Sequence, residues 1–318
     1  MNKPLLEVSD LNKTYRARGL FRKTSFQAVR DVSFTLEQGE VLAIVGESGS
    51  GKSTVARMLT HLLPATSGSV SYNGEPLHGN KSLRRSLPTF VQMIFQDPFA
   101  ALNPHHTIGY IVGRPLRVQK RWRGDPRPRV LELLEKVGLT PAEDFIDKYP
   151  YQLSGGQKQR VVIAKVLGLS PSVIVADEPT SMLDVSIGVD IMNLLLDLRD
   201  RERLSLLLIT HNLGSARYMA DRILVMYAGQ IVESGPTEEL IRQPRHPYTR
   251  LLLQSSPDPW REEADAMDVV EPSGPPPRTG CSFRLRCPFA TERCAAEAPA
   301  IREPEAGRHV RCHLSESG

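Results

Sequence analysis

The stretch VLAIVGESGSGKST, Val41–Thr54, decides the fold. Residues 41–46 are apolar enough for a buried strand, and STVARMLTHLL, 53–63, has the apolar spacing of a helix. Between them, Gly46, Glu47, Ser48, Gly49, Ser50, Gly51, Lys52, Ser53 and Thr54 fit the pattern G-x-x-x-x-G-K-[ST]. The glycines let the backbone curl until successive N–H groups converge on phosphate oxygens. The helix N-terminus that follows adds a favourable field for an anion. Lys52 brings a point charge to β- and γ-phosphates, and the Ser53 hydroxyl suits Mg²⁺. A chance Gly/Ser-rich turn would not come with strand, lysine and helix in register.

Outward from this loop, short apolar runs alternate with helical patterns. VQMIFQ (91–96), SVIVAD (172–177), LSLLLIT (204–210) and RILVMYAG (222–229) read as strands. GQKQRVVIAKVLG (156–168) and GVDIMNLLLDLRDR (188–201) read as helices. That alternation indicates an α/β fold with a mainly parallel sheet. Residues 99–152 interrupt it and suggest a helical insertion. Past Ser255 the chain becomes Pro-rich, loses periodicity and contains no lysine, so a boundary is expected there.

Two further motifs carry chemistry. The strand ending at 177 delivers Asp177 and Glu178 to the carboxyl end of a sheet, where α/β folds build nucleotide sites. Asp177 there would hold Mg²⁺, and Glu178 would orient or deprotonate an attacking water. Without the phosphate loop the two acids could simply cap a strand. Leu153-Ser154-Gly155-Gly156-Gln157 opens a helix, and alone it could be a capping loop with Ser154 as the cap.

In this order the motifs resemble those of the ATP-binding subunits of ABC transporters, over the whole body of the chain. The resemblance implies a P-loop NTPase core, a RecA-like mixed sheet with an antiparallel β subdomain. It also implies a helical subdomain at about 99–165 that carries the signature motif. The ATP-binding domain would span 1–255 and a C-terminal extension 256–318. By this resemblance Tyr15 stacks on adenine, Gly46–Thr54 bind phosphate, and Gln96 touches Mg²⁺ and the attacking water. Ser53, Gln96 and Asp177 are then the Mg²⁺ set. Glu178, His211 and Gln96 are the catalytic residues. Ser154, Gly155, Gly156 and Gln157 of one subunit would close over the γ-phosphate held by another, with Asp184 in the loop that communicates across the pair. Met182 stands where alanine is usual and Asn212 where aspartate is usual. Both bear on the rate of hydrolysis and remove no group assigned to it.

Longer stretches, FQDPFAALNP, ADEPTSMLDVS, MYAGQIVESGP and HPYTRLLLQSSP, are similar to the dipeptide and oligopeptide importer branch, with its nickel and glutathione relatives. The insert RGLFRKTSFQAVRDVSF resembles one of the two ATPases those importers pair. The implied assembly has two membrane-spanning permease subunits, an extracytoplasmic solute-binding protein and a heterodimer with a homologous ATPase. It would place the chain at the cytoplasmic face of the bacterial inner membrane.

Bulk composition agrees. The net charge of +4 and pI of about 8.9 are too mild to argue for nucleic acid. MNKPLLEVSD lacks the apolar run of a signal peptide, so a cytosolic or partner-bound chain is expected. The basic run Arg114, Arg117, Lys120, Arg121, Arg123, Arg127 and Arg129 would suit a soluble ATPase acting on nucleic acid or ribosomes, or simply a solvated helix face.

All four cysteines, Cys281, Cys287, Cys294 and Cys312, fall in the final segment. A cytosolic setting disfavours disulfides. Unrelated buried thiols, a tetrahedral Zn²⁺ site and a [4Fe–4S] cluster all remain open, although the gaps are wider than the close pairs of structural zinc sites. The segment is similar to the C-terminal extension of peptide-importer ATPases, which implies a [4Fe–4S] cluster and a metal-stapled tail.

Overall fold

The computed structural model describes residues 3–18, 23–120, 122–255, 274–277 and 279–316. Arg121, residues 19–22 of the N-terminal insert and most of the Pro-rich stretch (256–273) lie outside them. The chain divides into two units. One comprises 1–36, 41–78 and 208–318, the other 37–40 and 79–207.

The first unit begins with two long strands, β1 (Leu6–Arg18) and β2 (Lys23–Leu36). They continue into β3 (Val41–Val45), and β4 (Ser67–Tyr72) and β5 (Glu75–Pro76) follow. An antiparallel sheet forms in the order β2-β1-β4-β5. β3 is apolar and buried at every position. Such a strand suits a sheet covered on both faces.

In the second unit, β6 (Val91–Ile94) and β7 (Val173–Asp177) pair in parallel, with Val91 opposite Val173 and Ile94 opposite Ala176. Around them lie helices Ile108–Val118, Arg127–Lys136, Gly155–Leu167 and Val185–Glu202. The helix Gly155–Leu167 packs against both of the first two, and its Val161, Ile163 and Ala164 are fully buried.

The strand β8 (Ser205–Thr210) returns the chain to the first unit, where β9 (Arg222–Tyr227) and β10 (Gln230–Pro236) follow. β9 runs parallel to β3 and antiparallel to β10, so this sheet is mixed. The expected single strand 222–229 ends at Tyr227, because Ala228 and Gly229 take positive φ and turn the chain.

The tail is more regular than its composition suggests. β11 (Arg302–Glu305) and β12 (Arg308–Val310) form a hairpin, and β12 adds to the edge of β10 with Glu233 opposite Val310. Arg308 forms a buried ion pair with Glu233 at 3.3 Å. The Glu233 carboxylate also accepts the backbone N–H groups of Arg245 and His246, each at 2.9 Å. Phe283 is 1% exposed and packs against Tyr227 and Tyr248. The tail docks by sheet addition, a buried ion pair and an aromatic cluster, contacts that the sequence reading did not foresee.

Candidate functional site

The phosphate loop sits between β3 and the helix Lys52–Leu59. Two glycines are dictated by space. A Cβ on Gly46 would lie 2.1 Å from the Met226 carbonyl oxygen, and one on Gly51 (φ 107°) 2.4 Å from that of Ala28. Lys52 is 6% exposed, and its Nζ donates to the carbonyls of Gly46 (2.7 Å) and Glu47 (2.9 Å). The lysine is thus folded into the mouth of its own loop. The Ser50 hydroxyl is buried there with no partner among the described residues. An unsatisfied buried hydroxyl beside a buried ammonium at a helix N-terminus fits an anion.

A cleft of about 540 Å³ in the same unit is lined by Phe26, Gln27, Ala28, Gly49, Gly229 and Pro275–Pro277, among others. Its volume is that of a small-ligand site. Tyr15 is not among its lining residues. The aromatic ring in the lining belongs to Phe26, which pairs with Tyr15 across β1 and β2 and is 60% exposed. Sequence reasoning missed Phe26 because the motif points to one aromatic and says nothing of its cross-strand neighbour. It also missed Pro275–Pro277, which lie far along the chain from the loop they approach.

His211 follows β8 and is exposed. Asn212 accepts the Ser215 N–H at 3.2 Å and caps the helix Leu213–Met219. An aspartate would do the same, so the departure at this position keeps the local geometry.

The second unit carries the remaining motif residues. Asp177 ends β7 and is 4% exposed. Glu178 takes φ 51°, a left-handed conformation rare for glutamate, and Ser181 donates its N–H (3.2 Å) and hydroxyl (3.1 Å) to the Glu178 carbonyl. Backbone outliers of this kind concentrate at functional sites. Gln96 is exposed just before Asp97, which caps the next turn by accepting from Phe99 and Ala100. Ser154 and Gln157 form a reciprocal capping box: Gln157 N–H to Ser154 Oγ at 3.3 Å, Ser154 N–H to Gln157 Oε1 at 3.0 Å. That leaves the signature helix with a rigid, outward N-terminus. A Cβ on Gly156 would meet Ile187 at 2.7 Å, so this glycine allows the helix to approach the segment that follows Asp184. Asp184 is exposed at the start of helix Val185–Glu202.

The four thiols lie in one neighbourhood. Cys281 N–H donates to the Cys294 carbonyl at 2.8 Å. Burial pushes the Cys312 thiol up to about 11, and Cys281, Cys287 and Cys294 add to the rise by like charge. Burial likewise raises Cys281 and Cys287. Among the described residues, no group of three or more His, Cys, Asp or Glu is arranged to hold a single metal ion, and no helix is long and apolar enough to cross a membrane.

Comparison with known proteins agrees with this geometry. Residues 29–181 match the ABC transporter family, and residues 232–294 match the C-terminal region of oligopeptide/dipeptide transporters. The chain is 43% identical to the di/tripeptide transport ATP-binding protein DppF of Pseudomonas aeruginosa, over 98% of both chains. It is 43% identical to a putative oligopeptide transport ATP-binding protein, YkfD, of Bacillus subtilis, over 98% of this chain and 95% of the relative. Among solved structures, cbiO1 of Clostridium perfringens, part of an ABC transporter complex, is similar with a TM-score of 0.65 at 29% identity, covering 76% of this chain and 91% of that one. A dimeric ATP-binding cassette bound to ADP and Pi matches with a TM-score of 0.63 at 30% identity, covering 73% and 98%. The likeness runs along almost the whole of the chain and of these relatives, and the chain belongs to the ATP-binding subunits of ABC transporters, in the group with the oligopeptide/dipeptide C-terminal region.

Proposed function

We propose that this chain is the ATP-hydrolysing subunit of a bacterial ABC importer that takes up peptides. The observation that carries the reading is the phosphate loop, with Lys52 and Ser50 aimed into it, on a chain similar from end to end to di- and tripeptide transport subunits. Lys52 and the loop N–H groups would bind the β- and γ-phosphates. Ser53, Gln96 and Asp177 would hold Mg²⁺, which neutralises charge on the phosphate oxygens when bound. Water oxygen attacks the γ-phosphorus, its proton passes to Glu178, and the bond to the β-phosphate oxygen breaks to leave ADP and phosphate. His211 would contact the γ-phosphate. Tyr15, with Phe26 beside it, would meet the base. The capped helix N-terminus at Ser154–Gln157 would close on the nucleotide of a second subunit, with Asp184 in the loop between the pair, so binding drives closure and hydrolysis releases it.

The partners that follow are two permease subunits, a homologous ATPase and an extracytoplasmic solute-binding protein, with the chain held at the inner membrane through the permease. Binding of nucleic acid finds less support. Arg127 forms a two-pronged pair with Asp147 (2.9 and 3.1 Å), and Arg129 pairs with Glu132, so part of the basic run is already neutralised.

For the tail we infer a [4Fe–4S] cluster on Cys281, Cys287, Cys294 and Cys312, with Zn²⁺ as the alternative. Its support is the gathering of all four cysteines in the tail, with Cys281, Cys287 and Cys294 inside the matched region 232–294. A single Zn²⁺ draws its thiolates to about 2.3 Å from itself; a four-iron cage accepts wider spacing. Visible absorbance in anaerobically purified protein, lost in Cys287→Ser, is expected. A colourless protein with stoichiometric zinc overturns the cluster.

The decisive test is the reconstituted transporter. Glu178→Gln is expected to lower ATP hydrolysis by about 10²-fold or more while ATP still binds. Hydrolysis at the parent rate refutes the assigned chemistry. Uptake of nickel or glutathione in place of peptides by the assembled complex refutes the solute class.

A further inference from the structure

The cysteine-bearing tail reaches the phosphate loop itself. Arg286, between Cys281 and Cys287, makes a two-pronged ion pair with Glu47, Nη1 to Oε2 at 2.8 Å and Nη2 to Oε1 at 2.9 Å. Glu47 is the second residue of the loop, and its carbonyl already accepts the Lys52 ammonium. Its own N–H is turned to the Tyr248 hydroxyl at 2.9 Å. Arg286 is held from below. Its guanidinium lies 5.8 Å from the Tyr227 and Phe283 rings, and the Arg286 backbone N–H donates to the Phe283 carbonyl at 3.0 Å. Phe283 is wedged against Tyr227 and Tyr248.

This arrangement solves an electrostatic problem. A carboxylate in a phosphate loop repels the anion the loop binds and competes for the lysine that should bind it. A bidentate guanidinium fixes the carboxylate in one direction and offsets its charge. We propose that Arg286 is a positioning residue for the phosphate loop: it holds the Glu47 carboxylate away from Lys52, so that nucleotide binds at full affinity only when the cysteine-bearing segment is docked. The proposal rests on the nucleotide reading of the loop and adds to it a control by the tail.

Arg286→Met tests it, because the methionine keeps an apolar stem over Tyr227 and Phe283 while removing the charge. The readouts are MgADP affinity by calorimetry on the full chain, and KM for ATP against kcat in the assembled transporter. Arg286→Met is expected to weaken MgADP binding and raise KM by about fivefold or more, a typical site-to-site coupling, with kcat changed much less. Arg286→Lys should fall between Met and the parent. Adding Glu47→Gln to Arg286→Met should restore most of the affinity, since it deletes the freed charge. Unchanged affinity in Arg286→Met, or no rescue in the double variant, overturns the proposal. Should Arg286→Met fail to fold, Glu47→Gln alone decides. It leaves Arg286 as a cation beside the loop and is expected to tighten MgADP binding; weaker binding overturns the proposal. A parent chain that does not bind MgADP refutes the nucleotide reading instead.

Discussion

His246 offers a stability switch whose size follows from its burial. The imidazole is fully enclosed, and desolvation alone drives its pKa from 6.5 down to about 3. Its Nδ1 accepts the Tyr248 N–H at 3.0 Å, which fixes the neutral tautomer at the head of helix Pro247–Ser255. The neighbouring Glu233 carboxylate takes the His246 backbone N–H but is already paired with Arg308. The folded protein therefore holds a neutral ring where the unfolded chain takes up a proton below pH 6.5. Stability is complete above that value and declines as pH falls toward 3. At about 1.36 kcal/mol per unit, the loss between pH 7.5 and 5.0 is roughly 2 kcal/mol, in a window where ordinary carboxylates are silent. His246→Asn removes the titration and keeps an oxygen to cap the same N–H. Urea unfolding of parent and variant at the two pH values measures the difference, since the other histidines contribute equally to both. The variant should lose about 2 kcal/mol less than the parent. Losses equal to within about 0.5 kcal/mol would refute the assignment of a buried neutral ring.

Two further expectations rest on contacts of the same unit. Arg308→Met strands the Glu233 carboxylate at 1% side-chain exposure, with two backbone donors left to it, and should cost about 3 kcal/mol by chemical unfolding; a loss under about 1 kcal/mol would show that water reaches the carboxylate. Gly51→Ala forces a Cβ to 2.4 Å from the Ala28 carbonyl at φ 107°, so MgADP binding should disappear in calorimetry while the circular dichroism of the helices stays; retained binding would mean the loop can re-form around a side chain.

The fold was legible in the sequence wherever burial was continuous or chemistry fixed the spacing. Val41–Val45 and Ser205–Thr210 are buried at every position, and such runs read directly as strands. The glycines of the phosphate loop announced themselves because only glycine fits against the Met226 and Ala28 carbonyls. What escaped were relations between distant residues. Nothing in REPEAGRHV marks a hairpin that joins a sheet, because β11 is exposed at all four positions and only Val310 reaches the core as an apolar anchor. The pairing of Arg308 with Glu233, and of Arg286 with Glu47, is a fact of three-dimensional placement that no periodicity encodes. Phe26 and Phe283 escaped for the same reason, each being defined by a neighbour across the fold.

Those hidden relations change what the tail is. A composition shift near Ser255 suggests a module that could be cut away. The contacts argue otherwise, for each lies on an element of the unit that carries the phosphate loop. β12 supplies the hydrogen-bonding partner of β10, Arg308 neutralises a carboxylate buried on that strand, and Phe283 covers Tyr227 and Tyr248. Truncation after Ser255 would expose an edge strand, leave Glu233 without its cation and open the aromatic cluster whose Tyr248 hydroxyl meets the loop at Glu47. Such a chain should unfold at lower urea and bind MgADP more weakly than the parent, whatever the state of the thiols. If it matched the parent in both, the tail would be an appendage after all. If it lost stability alone, the Arg286–Glu47 pair would be a tether without influence on the nucleotide.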